Sequence, residues 1–320
     1  MSNGKEDREL IQKIYKEISQ VYLGRPDIIE LLFVGLLARG HILLEGIPGV
    51  AKTTLVKAFA NSLGSHFQRI QFTPDLLPAD ITGSYIYNMK EQDFHLRKGP
   101  LFANIVLADE INRAPAKTQS AMLEAMAEQQ VTIEGEKHTL QSPFMVLATQ
   151  NPIEQEGVYM LPEAQLDRFL MKLHLGFPTR QVERMMLRLH HRKFKPVEKI
   201  IDDSIILRWQ EATEDIHISS ELEEYILDLV SYTRTHRSIL LGVSPRASLA
   251  LLHTSRSLAF LRGRDYVIPD DIRLLAVPIM AHRIILKPET ELEGIKAEQI
   301  IQESLKKIAV IRKESQKPEQ

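Results

Sequence analysis

The sequence contains no cysteine. That excludes disulfides, thiolate metal sites and cysteine nucleophiles, and it fits a reducing compartment. It also lacks an excess of one charge. Its 40 lysines and arginines stand against 42 aspartates and glutamates, a net charge of −2. The chain as a whole is therefore no polycation, and contact with nucleic acid would need a local patch. No long apolar run occurs either. The longest, LLFVGLLA at residues 31–38, is far short of the ~20 residues that span a bilayer. The opening stretch MSNGKEDRELIQKIYKEISQ is charged and has no apolar signal-peptide core. Membrane insertion is not expected, and the expected location is the cytoplasm. Internal repeats, low-complexity tracts, H-E-x-x-H and G-x-S-x-G are all missing.

What is present is ordinary for a globular protein: 320 residues, 44% hydrophobic and 26% charged. That is enough for two domains with unstapled cores. Leu10, Ile14, Ile18 and Val21 recur at helical spacing, which predicts a helix over residues 8–20. A second helix should follow Pro26. HILLE, HFQRIQF, ANIVLAD, FMVLATQ and LMKLHL read as short buried strands that alternate with helical patterns. Such alternation implies a mainly parallel α/β sheet with covered faces. Behind GFPTR at residues 176–180 the pattern turns helical, as in SELEEYILDLVSYTRTH and PDDIRLLAVPIMAHRIIL. A domain boundary is expected there, giving an αβα core at 1–177 and an all-α domain at 178–320.

Three stretches carry chemistry. GIPGVAKTTL, at residues 46–55, follows the strand HILLE and precedes a helical pattern. It nearly spells the phosphate-loop signature, in which backbone N–H groups and a helix N-terminus face phosphate oxygens. A lysine there reaches the β/γ phosphates, and a hydroxyl serves Mg²⁺. Gly46, Lys52 and Thr53 are in place, but Ala51 stands where a second glycine is usual. A negative φ at position 51 would admit alanine at the cost of one methyl group. NIVLADEINR is an apolar strand ending in Asp109 and Glu110. Asp109 suits the metal's water shell and Glu110 the attacking water. FMVLATQNP ends in Thr149, Gln150 and Asn151. Parallel strands of such a sheet end at one ligand-binding edge, which would bring Asn151 beside the γ-phosphate. Each stretch alone has a blander reading: a chance turn, a capping carboxylate pair or an Asn-Pro turn.

Taken together, GIPGVAKT, ADEINRAPAKTQSAMLEAMAE, ATQNPIEQEGVYMLPEAQLDRF and SPRAS resemble the MoxR group of AAA+ ATPases over residues 20–290. The resemblance implies a P-loop NTPase core with a C-terminal helical lid, assembled as a homo-oligomeric ring, usually a hexamer. It implies ATP and Mg²⁺ as ligands. Gly46, Gly49, Val50, Ala51, Lys52, Thr53 and Thr54 match the nucleotide-binding loop. Thr53 and Asp109 match the metal positions, and Glu110 matches the catalytic carboxylate. Asn151 matches sensor 1, Arg168 in LDRF an arginine finger, and Arg246 in SPRAS the lid's sensor 2. Arg113 is a further candidate for the subunit boundary. GVAKT is a familiar variant in this group, which favours a working loop. In VYLGRPDI, Arg25 stands where the group more often has glutamine, which leaves base selectivity open. Two segments match family insertions: GSYIYNMKEQDFHLRKGPLF, and the hairpin pattern VTIEGEKHTL around Glu134-Gly135.

The implied function is chaperone-like maturation of partner complexes, commonly with a protein carrying a von Willebrand factor A domain. Two alternatives stand beside it. One is a nucleotide-gated assembly module with little turnover, against which Glu110 argues. The other is a DNA-acting AAA+ protein, against which the net charge and the absence of a DNA-binding domain argue. The basic run RLHHRKFK reads as a solvated helix face, and nucleic acid is not an expected partner.

Overall fold

The computed structural model describes residues 3–46, 51–151, 159–189, 195 and 197–310. Two compact units divide the chain, Met1–Glu211 and Ala212–Gln320.

In the first unit, α1 (Asn3–Val21) lays Ile11, Ile14 and Ile18 against the interior. It is longer than the 8–20 expected from periodicity, because its first turns are polar and carry no apolar signal. The next helix, α2 (Pro26–Leu37), is apolar on nearly every side and buries nine of its twelve residues. Proline at its first position suits a start where no N–H is needed.

The sheet holds β1 (Ile42–Gly46), β2 (Phe67–Gln71), β5 (Ile105–Asp109), β8 (Met145–Gln150) and β9 (Met171–Leu175) in the order β2-β5-β8-β1-β9. All pairings are parallel. The central β5 and β8 are buried at every residue, as near-continuous apolar strands covered on both faces should be. Helices α3 (Lys52–Leu63), α5 (Ala116–Glu128) and the short α4 (Pro78–Thr82) and α6 (Glu163–Leu166) link the strands.

Two hairpins decorate the sheet. β3 (Gly83–Asn88) pairs with β4 (Asp93–Lys98), and β6 (Gln130–Ile133) with β7 (Glu136–Thr139). The second was legible as an alternating stretch, the first as a match to a family insertion. The β6–β7 turn places Glu134 and Gly135 at φ of 50° and 90°, the positive pair that a two-residue hairpin turn demands. Tyr85 on β3 donates its hydroxyl to Glu136 at 2.6 Å, tying the two hairpins together.

Helix α7 (Arg180–Leu189) closes the region around the expected boundary. The basic run expected on its solvated face falls mostly outside the described residues, at 190–194. Helix α8 (Asp203–Glu214) follows.

The second unit is built on α9 (Ser220–Thr235), α10 (Pro245–Leu261), α11 (Pro269–Met280) and α13 (Ala297–Lys307), with the short α12 (Pro288–Leu292). Leu229, Leu251, Leu258, Ile272, Leu275 and Ile279 are fully buried in it. Asp271 is buried as well. Its two carboxylate oxygens accept from Nη2 and Nη1 of Arg264, at 2.7 and 2.8 Å. The unit is helical but carries one antiparallel ribbon, β10 (Ile239–Leu241) with β11 (Ile285–Leu286). Of the helical pattern read through PDDIRLLAVPIMAHRIIL, the α-helix ends at Met280 and a single 3₁₀ turn, Ala281–Arg283, follows it. Pro278 removes one helical N–H just before that end, and the β-branched Ile285 joins the ribbon instead.

Candidate nucleotide site

Strands β1, β8 and β5 are adjacent and parallel, so Gly46, Gln150 and Asp109 finish at one edge of the sheet. Two strand spacings separate β1 from β5, about 10 Å. At Gly46 a side chain is excluded. A Cβ there would meet the Leu175 carbonyl oxygen at 2.7 Å on neighbouring β9.

Gly49 and Val50, expected in the loop, lie outside the described residues. Beyond them Ala51 is the N-cap of α3, at φ 59° and ψ 29°. This corrects the expected negative φ. The backbone here takes the left-handed turn that a glycine would take without strain, and alanine holds it at a cost of ~1–2 kcal/mol. Such strain tends to persist where a site requires the geometry. Alanine also has no side chain to cap the helix, and the first turn contains no acidic residue. The leading N–H groups of α3 therefore receive no side-chain cap, which suits an incoming anion. Lys52 Nζ donates to the Gly46 carbonyl at 2.7 Å, across the loop it closes. Thr53 is half-buried and Thr54 exposed in the same turn.

At the end of β5, Thr149 organises both carboxylate residues. Its fully buried hydroxyl accepts from the Glu110 N–H at 2.8 Å and donates to Asp109 Oδ1 at 2.6 Å. Glu110 is itself left-handed, at φ 56°, and this hydrogen bond helps fix it there. Two residues of β2, unassigned in the sequence reading, complete the corner. Arg69 donates through Nε and Nη2 to Asp109 Oδ2, at 3.1 and 2.6 Å. The same Nη2 donates to Gln71 Oε1 at 2.6 Å, and Gln71 Nε2 donates to Glu110 Oε2 at 2.7 Å. Arg113, weighed above as an interface arginine, donates to that same Glu110 oxygen at 3.0 Å. The sequence held a signal for β2: in HFQRIQF, Arg69 and Gln71 alternate with the buried Ile70, so both point to the opposite face.

On the other face of the edge, Glu45 of β1 meets Lys172 and His174 of β9, each at 2.7 Å. Burial pushes the Glu45 carboxyl up, but these two partners outweigh it and hold the group down at about 2.

Asn151 directly follows β8 and is buried. Arg168 lies just after α6. Its side chain is exposed, and Nη1 donates to the Leu123 carbonyl on α5 of the same chain at 2.7 Å. Arg246 belongs to the second unit, exposed in the first turn of α10.

The donor set suits Mg²⁺. Among the described residues no three histidine, aspartate or glutamate side chains cluster as a metal cage. The oxygens on offer are a threonine hydroxyl and one carboxylate, the sparse hard-oxygen set of a cation held mainly through phosphates and water.

A parallel sheet whose first strand leads through Gly46, Lys52 and Thr53 into a helix, two strand positions from one ending in two carboxylates, defines a P-loop nucleoside triphosphatase core. Comparison with known proteins narrows the class. Residues 41–171 match the ATPase family associated with various cellular activities (AAA), and residues 231–304 match the AAA lid domain. YeaC of Bacillus subtilis is 48% identical over 94% of this chain and 95% of its own length. The chaperone MoxR1 of Mycobacterium tuberculosis is 42% identical over 94% and 82%. A crystal structure from Cytophaga hutchinsonii superposes with a TM-score of 0.91 at 44% identity, covering 97% of this chain and 98% of that one. The chain belongs to the MoxR family of AAA+ ATPases.

Proposed function

We propose that the protein binds and hydrolyses ATP with Mg²⁺, using the corner built by Asp109, Glu110 and Thr149. The observation that carries this reading is the Thr149 hydroxyl. It bonds one residue's carboxylate and the next residue's backbone, and so aims two adjacent acids in fixed directions. A pair of carboxylates that merely capped a helix would not need that.

Lys52 binds the β/γ phosphates, with backbone N–H groups from Gly46, Gly49, Val50, Ala51 and Thr54 around them. The Thr53 hydroxyl and Asp109 would hold the cation. Once bound, it neutralises charge on the transferred phosphoryl oxygens. Glu110 orients the water and takes its proton, and Asn151, beside the γ-phosphate, helps to position that water. Residues 1–177 act as the core and 178–320 as the lid, with Arg246 reporting nucleotide to the lid. Chains assemble as a homo-oligomeric ring, a hexamer in the usual family arrangement, in which Arg168 completes a neighbour's site. In such a ring, Arg168 would exchange the Leu123 carbonyl for phosphate.

The ring acts in the cytoplasm as a chaperone-like maturation factor for protein complexes, together with a von Willebrand factor A domain partner. The name of the MoxR1 relative, a chaperone, supports the class of work. No described helix is long and apolar enough to cross a membrane.

The test pairs two variants. Lys52→Ala should lose most ATP affinity. Glu110→Gln keeps shape and hydrogen bonding but cannot act as a base, so it should bind ATP as wild type does and turn it over very slowly. Equal ATP affinity in wild type and Lys52→Ala would remove the reading. Wild-type binding without turnover would leave a nucleotide-gated assembly module.

A further inference from the structure

Among the described residues, the two carboxylates at the end of β5 are matched by two cationic side chains without any cation from solution. Two carboxylates, Asp109 and Glu110, face two guanidinium groups, Arg69 and Arg113. A dication entering a balanced cluster meets like charge at short range, unless one resident cation leaves. The structure singles out which one can.

Asp109 is held differently at its two oxygens. Oδ1 is fixed by the Thr149 hydroxyl, which has no exposure. Oδ2 is taken by Arg69 alone among the described residues, and the Arg69 side chain is 46% exposed on the edge strand β2. Removing Arg69 therefore leaves the carboxylate oriented and one oxygen available. Arg69 is half-exposed and can turn to solvent, whereas the Asp109 side chain is only 11% exposed, so its carboxylate gives up Arg69 only to a cation that takes its place. The release does not end at Asp109. Arg69 Nη2 is shared with the Gln71 amide oxygen, and the other end of that amide holds Glu110. Losing Arg69 frees the Gln71 amide to turn, and Glu110 loses a fixed partner.

We propose that Arg69 is the resident counter-ion of Asp109, that it yields that carboxylate to the divalent cation accompanying nucleotide, and that its departure loosens Glu110 through Gln71. Arg69 is thus a positioning residue: it links occupancy of the metal-side carboxylate to freedom of the water-side one. The inference rests on the nucleotide reading above and adds a residue that reading does not use.

The experiment titrates Mg²⁺ into purified full-length protein with a fluorescent ADP analogue and reads the Mg²⁺ concentration at half-maximal enhancement of binding. With its competitor gone, Arg69→Ala should need about three- to tenfold less Mg²⁺ than wild type. Arg69→Lys keeps the positive charge beside Asp109 and should remain near wild type. A midpoint in Arg69→Ala that is unchanged or higher, in protein with wild-type thermal unfolding, overturns the proposal. So does a Lys variant that behaves like the Ala variant, since the charge would then not be what competes. The link to Glu110 is read separately by hydrogen–deuterium exchange without nucleotide or metal. Exchange over residues 110–115 should rise in Arg69→Ala, and equal exchange in the two proteins overturns the link. If wild type binds no ADP at all, the nucleotide reading fails and this proposal with it. Binding with an unmoved midpoint fails this proposal alone.

Discussion

Replacing Thr149 by valine changes one hydroxyl for a methyl of the same shape. Thr149 is fully buried, so water has little access to the place its hydroxyl leaves. Two groups lose their partner: the Glu110 N–H and Asp109 Oδ1. An orphaned buried donor costs ~1–3 kcal/mol and a charged acceptor more. Asp109 keeps Arg69 on its other oxygen, which places the carboxylate's share at the low end. Together the loss should be about 3 kcal/mol. For a unit the size of Met1–Glu211, each kcal/mol moves the melting midpoint by about 2–4 °C, so the fall should be about 6–12 °C. Circular dichroism melts of both proteins measure it, with urea unfolding at 25 °C as a second estimate. Thr149→Ser restores the hydroxyl and gives up only a methyl, roughly 1 kcal/mol. Its midpoint should fall between the two. A valine variant within 2 °C of wild type, or a serine variant as unstable as the valine one, would refute the claim that this hydroxyl holds the corner together.

Two further outcomes follow from the backbone and from burial. Ala51→Gly relieves left-handed strain of ~1–2 kcal/mol but loosens the unfolded chain by ~0.5–1, so the protein should gain up to about 1 kcal/mol and keep ADP affinity within a few-fold. Ala51→Val, forced into the same turn, should lose stability and binding, and a stable, tightly binding valine variant in calorimetry would contradict the observed φ of 59°. His41 is buried, with Nδ1 accepting from the Val146 N–H and Nε2 donating to the Met126 carbonyl. Burial outweighs that last bond and lowers its pKa from 6.5 to about 4. The neutral form is the one that folds, so this stabilisation is complete above pH 6.5 and drains away as pH falls toward 4. Between pH 7 and 5 it should amount to about 2 kcal/mol. The Glu45 carboxyl, held at about 2, loses its contribution only below its unfolded value of 4.5 and stays outside that window. Urea unfolding at the two pH values should show the loss in wild type and not in His41→Gln, and parallel losses in both would show that His41 is not the group responsible.

Local pattern carried the architecture because each element was announced by its own residues. The central β5 and β8 read as short apolar runs, since a strand covered on both faces must be apolar throughout, while β2 and β9 mix apolar and polar residues. The β6–β7 hairpin showed as alternation around Glu134-Gly135, and the β3–β4 one through its likeness to a family insertion. Where a segment's partner was distant, the pattern failed. RIIL continued a helical rhythm, yet Ile285 and Leu286 pair with β10, some forty residues earlier.

At the site the same division holds. Sequence spacing picked out Lys52, Asp109 and Glu110, because a loop, a strand end and the chemistry of phosphate constrain neighbouring residues along the chain. It could not supply the left-handed backbone at Ala51, since alanine carries no local signal for a positive φ; the loop geometry imposes it. Nor could it join Arg69 and Gln71 to the carboxylates. They precede Asp109 by about forty positions and meet it only because β2 pairs with β5 in register, setting Gln71 opposite Asp109. Side chains on one face of adjacent parallel strands become neighbours whatever their distance in sequence. That pairing decides which cations the two acids meet, and so how tightly each is held.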